Sequence, residues 1–449
     1  MSDYPARAVV DLAAIRGNVR ALAQHAPGAQ VMAVVKADAY GHGLVPSARA
    51  ALAGGATWLG AAQAAEALEL RAAGVGGRLL TWLHAPGAPF GALLEADVDV
   101  SVAAAWALDA VVDAARRTGR TARVHLKVDT GLGRNGLTPA DLPDVLDAAL
   151  RAQAEGAVEV VGIWSHLAFA DEPTHPTVLA QAEVFADAVR LAEARGAHLE
   201  VRHLANSAAT LTSPAVHYDL VRPGIAVYGL SPVPQLGGPA DYGLVPAMTF
   251  EAELATVKTV GAGQGVSYAH AYTTSTRTVL GVVPVGYADG VPRHASGSTD
   301  HPGAPVLVGG RRVPIAGRVC MDQVVLDLGP GAREQPGDRV VLFGTGADGG
   351  PTAEDWARSA GTIGYEIVTR LGARVPRVHV DSTQAPDAAA QSAGSAGAGS
   401  AAEDASSAQS AAPRSTPAAG GPPPLAPSAA PSAPSAAAPS AAEPARAGR

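Results

Sequence analysis

The sequence predicts an α/β chain, a parallel (β/α)8 barrel followed by a mostly β domain and a disordered tail. Three observations carry that prediction. From about residue 9 to 228, short apolar runs alternate with alanine-rich helical stretches, which is the pattern of βα units on a parallel sheet. After Pro232 the texture changes to valine-rich runs punctuated by glycine and proline. From about Thr383 onward the chain is Ala, Pro, Ser and Gly with no aromatic residue and one leucine, Leu425. Such a segment cannot bury enough apolar area to offset its chain entropy. Domain boundaries are therefore expected at 1–235, 236–382 and 383–449.

The expected barrel strands are 31–35, 58–61, 79–82, 98–102, 124–128, 160–164, 201–204 and 220–222, with helices such as 63–73 and 177–195 between them. Eight strands over about 220 residues suit a closed barrel, with an open doubly wound sheet as the structural alternative. The second domain is expected to hold strands 251–259, 277–283, 306–313, 324–328 and 339–343, and a helix over 352–360. Residues 5–12 are also strand-like. The glycine-rich stretch 344–350, GTGADGG, lies between two strand regions and reads as a surface turn rather than a phosphate loop.

Composition narrows the function classes. The net charge of −8 gives no broad attraction to nucleic acid or anionic membrane. A single cysteine, Cys320, excludes an intrachain disulfide. The opening residues MSDYPARAVV lack the basic start and apolar core of a signal peptide, and no apolar run approaches a membrane span, so a cytoplasmic protein is expected. The thirteen histidines are dispersed, without a metal-ligand spacing.

The stretch VMAVVKADAYGHG carries the first chemical signal. A β-branched run leads straight into Lys36, which therefore sits at the carboxyl-terminal mouth of a strand, where barrels place their chemistry. Partial desolvation lowers a lysine pKa and frees its amine as nucleophile or base. A lysine that only snorkels to the rim is the plainer reading of Lys36 alone. Gly41 and Gly43 permit backbone angles that other residues resist.

Lys36, Tyr40 and Gly41 within KADAYGHG resemble the cofactor-lysine motif of alanine racemases, whose lysine holds pyridoxal 5'-phosphate as a Schiff base. The resemblance runs from near residue 5 to about residue 381. It implies a barrel, a second β domain to which residues 5–12 contribute, and interconversion of L-alanine and D-alanine to supply peptidoglycan precursors. It also implies a head-to-tail homodimer with shared active sites. Departures are Asp38, Ala269 and the long tail.

Other motifs extend the resemblance. RVHLKVDTGLGRNG places Lys127 in a strand and Arg134 in the loop beyond it. Two cations aimed at one mouth repel unless an anion lies between them. In the family the lysine matching Lys127 is carbamylated and orients the arginine matching Arg134 toward the substrate carboxylate. Gly131, Gly133 and Gly136 also spell a dinucleotide fingerprint, but the next strand ends in Ser165 and His166 rather than the acidic residue a ribose requires. GIWSHLAFADE puts His166 at a strand end, and by resemblance it lies beside the cofactor ring. HLANSAAT supplies Asn206 and Ser207 at a helix start, either as a phosphate site or as a plain N-cap.

In DLVRPGIAVYGL, Arg222 matches the arginine that faces the pyridine nitrogen, and Gly224 and Ile225 match residues offering N–H groups to the phosphate. An arginine there leaves the ring a weaker electron sink than a carboxylate would, which suits racemisation over transamination. Racemisation needs one base on each face of Cα. By resemblance these are Lys36, acting on the D form, and Tyr268 of GQGVSYAHAY, reaching from the partner subunit to the L form. The backbone N–H at Met321 would touch the substrate carboxylate and Tyr365 the phosphate. Asp171, Tyr287, Arg293, Arg318 and Asp322 would line the entrance corridor. Competing readings are a racemase of broader specificity, including serine, a decarboxylase on the same barrel, and a cofactor-carrier protein made of the barrel alone.

Overall fold

The structure is a computed structural model, and residues 4–384 are described. The expected tail lies, from residue 385 on, outside the described residues. Eight parallel strands, from Gln30–Val34 through Val201–His203 to Leu220–Val221, form one sheet in sequential order. It closes on itself nearly completely, because Arg222 N–H donates to the Ala205 carbonyl at 2.9 Å and Asp219 N–H to the Arg202 carbonyl at 3.1 Å. Helices such as Ala105–Thr118 and Pro176–Ala194 cover the outside. Their buried residues recur at three- and four-residue spacing, as in Leu108, Val111, Val112 and Ala115.

Side chains alternate across each strand, so residues two apart stack inside the barrel. Along Ala122–Lys127 this sends Arg123 to the floor, His125 to the middle and Lys127 to the mouth. Trp58, Met32, Leu80, Val201 and Leu220 plug part of the interior with apolar volume.

The mostly β part contains a six-stranded sheet, and Ala6–Asp11 is built into it between Met248–Glu253 and Arg377–Val380. Residues 6–11 and 377–380 are thus tied into one sheet. Two expected strands are corrected. The run 251–259 is Met248–Glu253 and Thr256–Val260, because at Leu254 and Ala255 the chain leaves one sheet for another. The run 306–313 is a hairpin, Pro305–Val308 and Arg311–Pro314, turned by Gly309 and Gly310 with φ of +55° and +73°. A helix over Gly364–Thr369 was not expected. Among the described residues no helix is long and apolar enough to cross a membrane.

Candidate active site

Strand Gln30–Val34 delivers Lys36 to the barrel mouth, and the next residues do something the glycines alone do not explain. Ala37, Asp38, Ala39 and Tyr40 all have φ between +52° and +55°, a left-handed turn of four non-glycine residues. Each costs roughly 1–2 kcal/mol, so the surroundings must hold it. Ala37 N–H donates to Glu66 Oε1 at 2.5 Å, Ala39 N–H to the Val35 carbonyl at 2.8 Å, and Leu44 N–H to Asp38 Oδ1 at 2.7 Å. His42 Nδ1 bonds the Tyr40 carbonyl at 2.9 Å from a ring stacked on Tyr228. Arg377 and His379 clamp the carbonyls of Gly41 and His42 from the second domain. Asp38, a departure from the family motif, thus caps the following helix. Asp38→Ala is expected to cost about 1 kcal/mol in urea unfolding, the value of a lost cap.

A cavity of about 350 Å³ opens at this mouth, lined by Lys36, Lys127, Arg134, His166 and Arg222 on its cationic side. Burial, and then Arg134, lower the Lys36 pKa, with Glu66 opposing; the amine is a better nucleophile than a surface lysine. Burial, followed by Arg222 and Arg134, pushes Lys127 down to about 8. Its ammonium also lies 4.4 Å from the Trp164 ring centre. Arg222 is fully buried, and desolvation pushes its pKa down to about 9. Its Nη2 donates to the Ser165 carbonyl at 2.7 Å and lies 3.4 Å from His166 Nδ1. Burial and Arg222 hold His166 well below an ordinary imidazole, so it is neutral.

The other end of the cavity is polar and uncharged. Tyr40, Tyr365, Ser207 and Gly224 line it. A Cβ at residue 224 would meet Tyr40 Oη at 2.2 Å, so only glycine leaves this cradle open. Gly224 N–H donates to Ser207 Oγ at 2.7 Å. Ile225 beside it is fully buried. Asn206 Oδ1 caps the helix Ser207–Thr212 by accepting from Ala209 N–H at 3.1 Å, and Asn206 lines the cavity too. One end with convergent hydroxyl and amide groups and another with a lysine amine and an arginine fit a phosphorylated aromatic aldehyde.

The glycines of TGLGRNG serve loop shape. Asp129 accepts the N–H groups of Gly131 and Gly133 at 3.0 and 3.1 Å, and a Cβ at Gly136 would strike Asp129 N at 2.5 Å. No helix begins there; the next runs over Leu142–Ala154.

Of the second-domain site residues Tyr365 lines this cavity, whereas Tyr268, Tyr287 and Met321 are not among its lining residues within one chain. Tyr268 is 69% exposed, Met321 53% and Tyr287 43%, and they share one surface region. Ala288 N–H bonds the Met321 carbonyl, and Ser267 Oγ bonds the Arg318 carbonyl. Ser267, Ala269 and His270 all have positive φ, so the loop holds Tyr268 on a strained turn. Arg293, Arg318, Asp171 and Asp322 are exposed, with Asp322 paired to Arg374. Trp82 and Trp164 also line the cavity; in the sequence they stand at the ends of expected barrel strands, and an aromatic at that place is the signal that points to them.

A family model described as alanine racemase, N-terminal domain, matches residues 10–232, and one described as alanine racemase, C-terminal domain, matches residues 247–379. An alanine racemase of Beutenbergia cavernae is 65% identical over 382 residues, covering 85% of this chain and all of that protein. One from Streptomyces coelicolor is 59% identical over 381 residues, covering 84% and 96%. The crystal structure of alanine racemase from Streptomyces lavendulae superposes with a TM-score of 0.82 at 57% identity, covering 85% of this chain and 98% of that one.

Proposed function

The chain belongs to the alanine racemase family, whose members depend on pyridoxal phosphate, and from that premise we propose that it interconverts L-alanine and D-alanine with Lys36 and Tyr268 as its two bases. The carrying observation is that Lys36, Arg222 and the Tyr40–Ser207–Gly224 cradle face one cavity. Pyridoxal phosphate, when bound, supplies the electron sink that makes the substrate Cα–H acidic. Lys36 would hold the cofactor through its Nζ and would carry a proton at that atom on the D face. Arg134 binds the substrate carboxylate, helped by the Met321 N–H. Arg222 would hold the ring nitrogen by a hydrogen bond, and His166, a neutral group, would flank the ring. Because Tyr268 and Met321 lie exposed and apart from the cavity of their own chain, the working form is a head-to-tail dimer in which each chain completes the other's site.

The test is chiral analysis of the protein with pyridoxal phosphate, started separately from pure L-alanine and pure D-alanine. Convergence of both on an equal mixture supports the reading. Bound cofactor with optically unchanged alanine sinks it, and a parallel run with serine measures breadth.

We further propose that Lys127 is carbamylated. Only the neutral amine attacks carbon dioxide, forming an N–C bond and releasing a proton, and the resulting anion relieves the crowding of Lys127 by Arg134 and Arg222. With a pKa of about 8 the neutral fraction climbs from about one tenth at pH 7 to about nine tenths at pH 9, whereas an ordinary lysine near 10.4 stays mostly protonated. At fixed dissolved carbon dioxide, native mass spectrometry is expected to show one carboxyl adduct whose occupancy rises across that interval. It should be absent from Lys127→Met. An unmodified amine at high bicarbonate and pH 9 would exclude it.

A further inference from the structure

Beneath Arg222 the barrel holds a line of buried polar groups, His203, His125 and Asp99, that the proposed chemistry leaves without a role. Arg222 Nη1 lies 3.4 Å from His203 Nδ1, His203 Nε2 lies 3.0 Å from His125 Nδ1, and His125 Nε2 lies 3.2 Å from Asp99 Oδ2. Both imidazoles are fully buried and Asp99 is 2% exposed. At the floor, Arg78 and Arg123 grip the Asp99 carboxylate at 2.9 and 3.3 Å. Space is reserved for this line. A Cβ at Gly162 would come within 2.3 Å of His125 Nδ1, and His203 stacks on Trp164 with their planes 3° apart.

The line admits one pattern of protons. A guanidinium only donates, so His203 Nδ1 must offer a lone pair to Arg222 and carry its proton on Nε2. That proton is given to His125 Nδ1, which leaves the His125 proton on Nε2, facing Asp99. Working from the floor gives the same answer. Burial raises the Asp99 pKa, but the bonds from His125 and Arg78 outweigh it and hold the carboxyl below its ordinary value, so it is an acceptor there. An imidazolium at either ring would set two N–H donors against each other.

We propose that Asp99 is a positioning residue for the reaction: through His125 and His203 it supplies the remote countercharge of Arg222 and fixes the rotation of the guanidinium beneath the cofactor ring. Among the described residues no carboxylate forms an ion pair with Arg222, so the relay is its route to a negative charge. Each neutral ring is polarised by the bond below it and becomes a better acceptor for the bond above. The proposal rests on the assignment of Arg222 to the ring nitrogen.

The test uses nitrogen-15 histidine spectra of the full-length protein, first without cofactor, with His125→Gln and His203→Gln assigning the two rings. Both are expected as Nε2–H tautomers. Asp99→Asn can still accept from His125 Nε2–H through its amide oxygen, so both rings are expected to keep the Nε2–H tautomer, while loss of the carboxylate charge weakens that bond and should shift the His125 Nε2 resonance. With pyridoxal phosphate bound, the same variant should lose roughly tenfold in kcat with KM for alanine unchanged, a charge-assisted bond attenuated through two rings. Glu200→Gln removes a half-exposed carboxylate that pairs with Arg78 and Arg123 but bonds neither Asp99 nor the two imidazoles, and should leave spectra and kcat unaltered. An Nδ1–H or imidazolium form of either ring in the unsubstituted protein, or an unchanged kcat in Asp99→Asn, overturns the proposal. Spectra of the expected form in a protein that binds no pyridoxal phosphate would instead refute the cofactor reading, and with it the relay's catalytic role.

Discussion

Lys36→Ala is expected to stop racemisation from either enantiomer, with kcat/KM falling about 10⁴-fold or more, since the change removes both the group that holds the cofactor and one of the two bases. Burial and Arg134 lower the Lys36 pKa, so more of the native amine is neutral than in a surface lysine. The left-handed turn after it is pinned through backbone atoms of Ala37, Ala39, Gly41 and His42, none of which needs the lysine side chain. The variant should therefore fold and still bind pyridoxal phosphate through the Tyr40–Ser207–Gly224 cradle, but lose it on gel filtration. Borohydride should attach the cofactor to the peptide holding Lys36 in the unsubstituted protein and to nothing in the variant. A small primary amine added to the variant should restore part of the solvent-hydrogen exchange from D-alanine. Full covalent retention, or undiminished exchange from D-alanine, would remove Lys36 from both roles.

Much of this cavity is legible in the sequence for a simple reason. Parallel barrel strands end at one rim, so Lys36, His166 and Arg222, each written just past an apolar run, must come together there. Lys127 is recoverable the same way from the two-residue alternation along its strand. The Asp99–His125–His203 line is not recoverable, although every member sits in an expected strand. Its residues come from strands 26 and 78 positions apart, and their pairing depends on which height in the barrel each reaches. The left-handed turn is equally silent, because Ala37, Asp38, Ala39 and Tyr40 carry no conformational signature; their angles are imposed by Glu66, Arg377 and His379 from elsewhere in the chain. The misjudged strands share a cause as well. Valine-rich runs report strand propensity, and a chain that leaves one sheet at Leu254 or turns at Gly309 and Gly310 is strand on both sides of the break, although Thr256–Val260 and Arg311–Pro314 are largely exposed.

The second large effect concerns direction. Net racemisation cannot be slowed more one way than the other, because the enantiomers have equal free energy and the equilibrium constant is one. Only isotope exchange at Cα separates the two bases. Tyr268→Phe is expected to lower solvent-deuterium exchange from L-alanine by about 10²–10⁴-fold, the range of a lost general base, while exchange from D-alanine, begun by Lys36, falls only a few-fold. Equal losses would contradict the assignment. The exposure of Tyr268 in its own chain adds a second test. Lys36→Ala and Tyr268→Phe chains are each inactive alone, but a mixed dimer pairs the intact Lys36 of one with the intact Tyr268 of the other in one of its two sites. Random mixing makes about half of the dimers mixed, so the recombined sample should recover about a quarter of the unsubstituted activity. Sites built within single chains would recover none, since each chain would keep its own lesion beside its own cofactor.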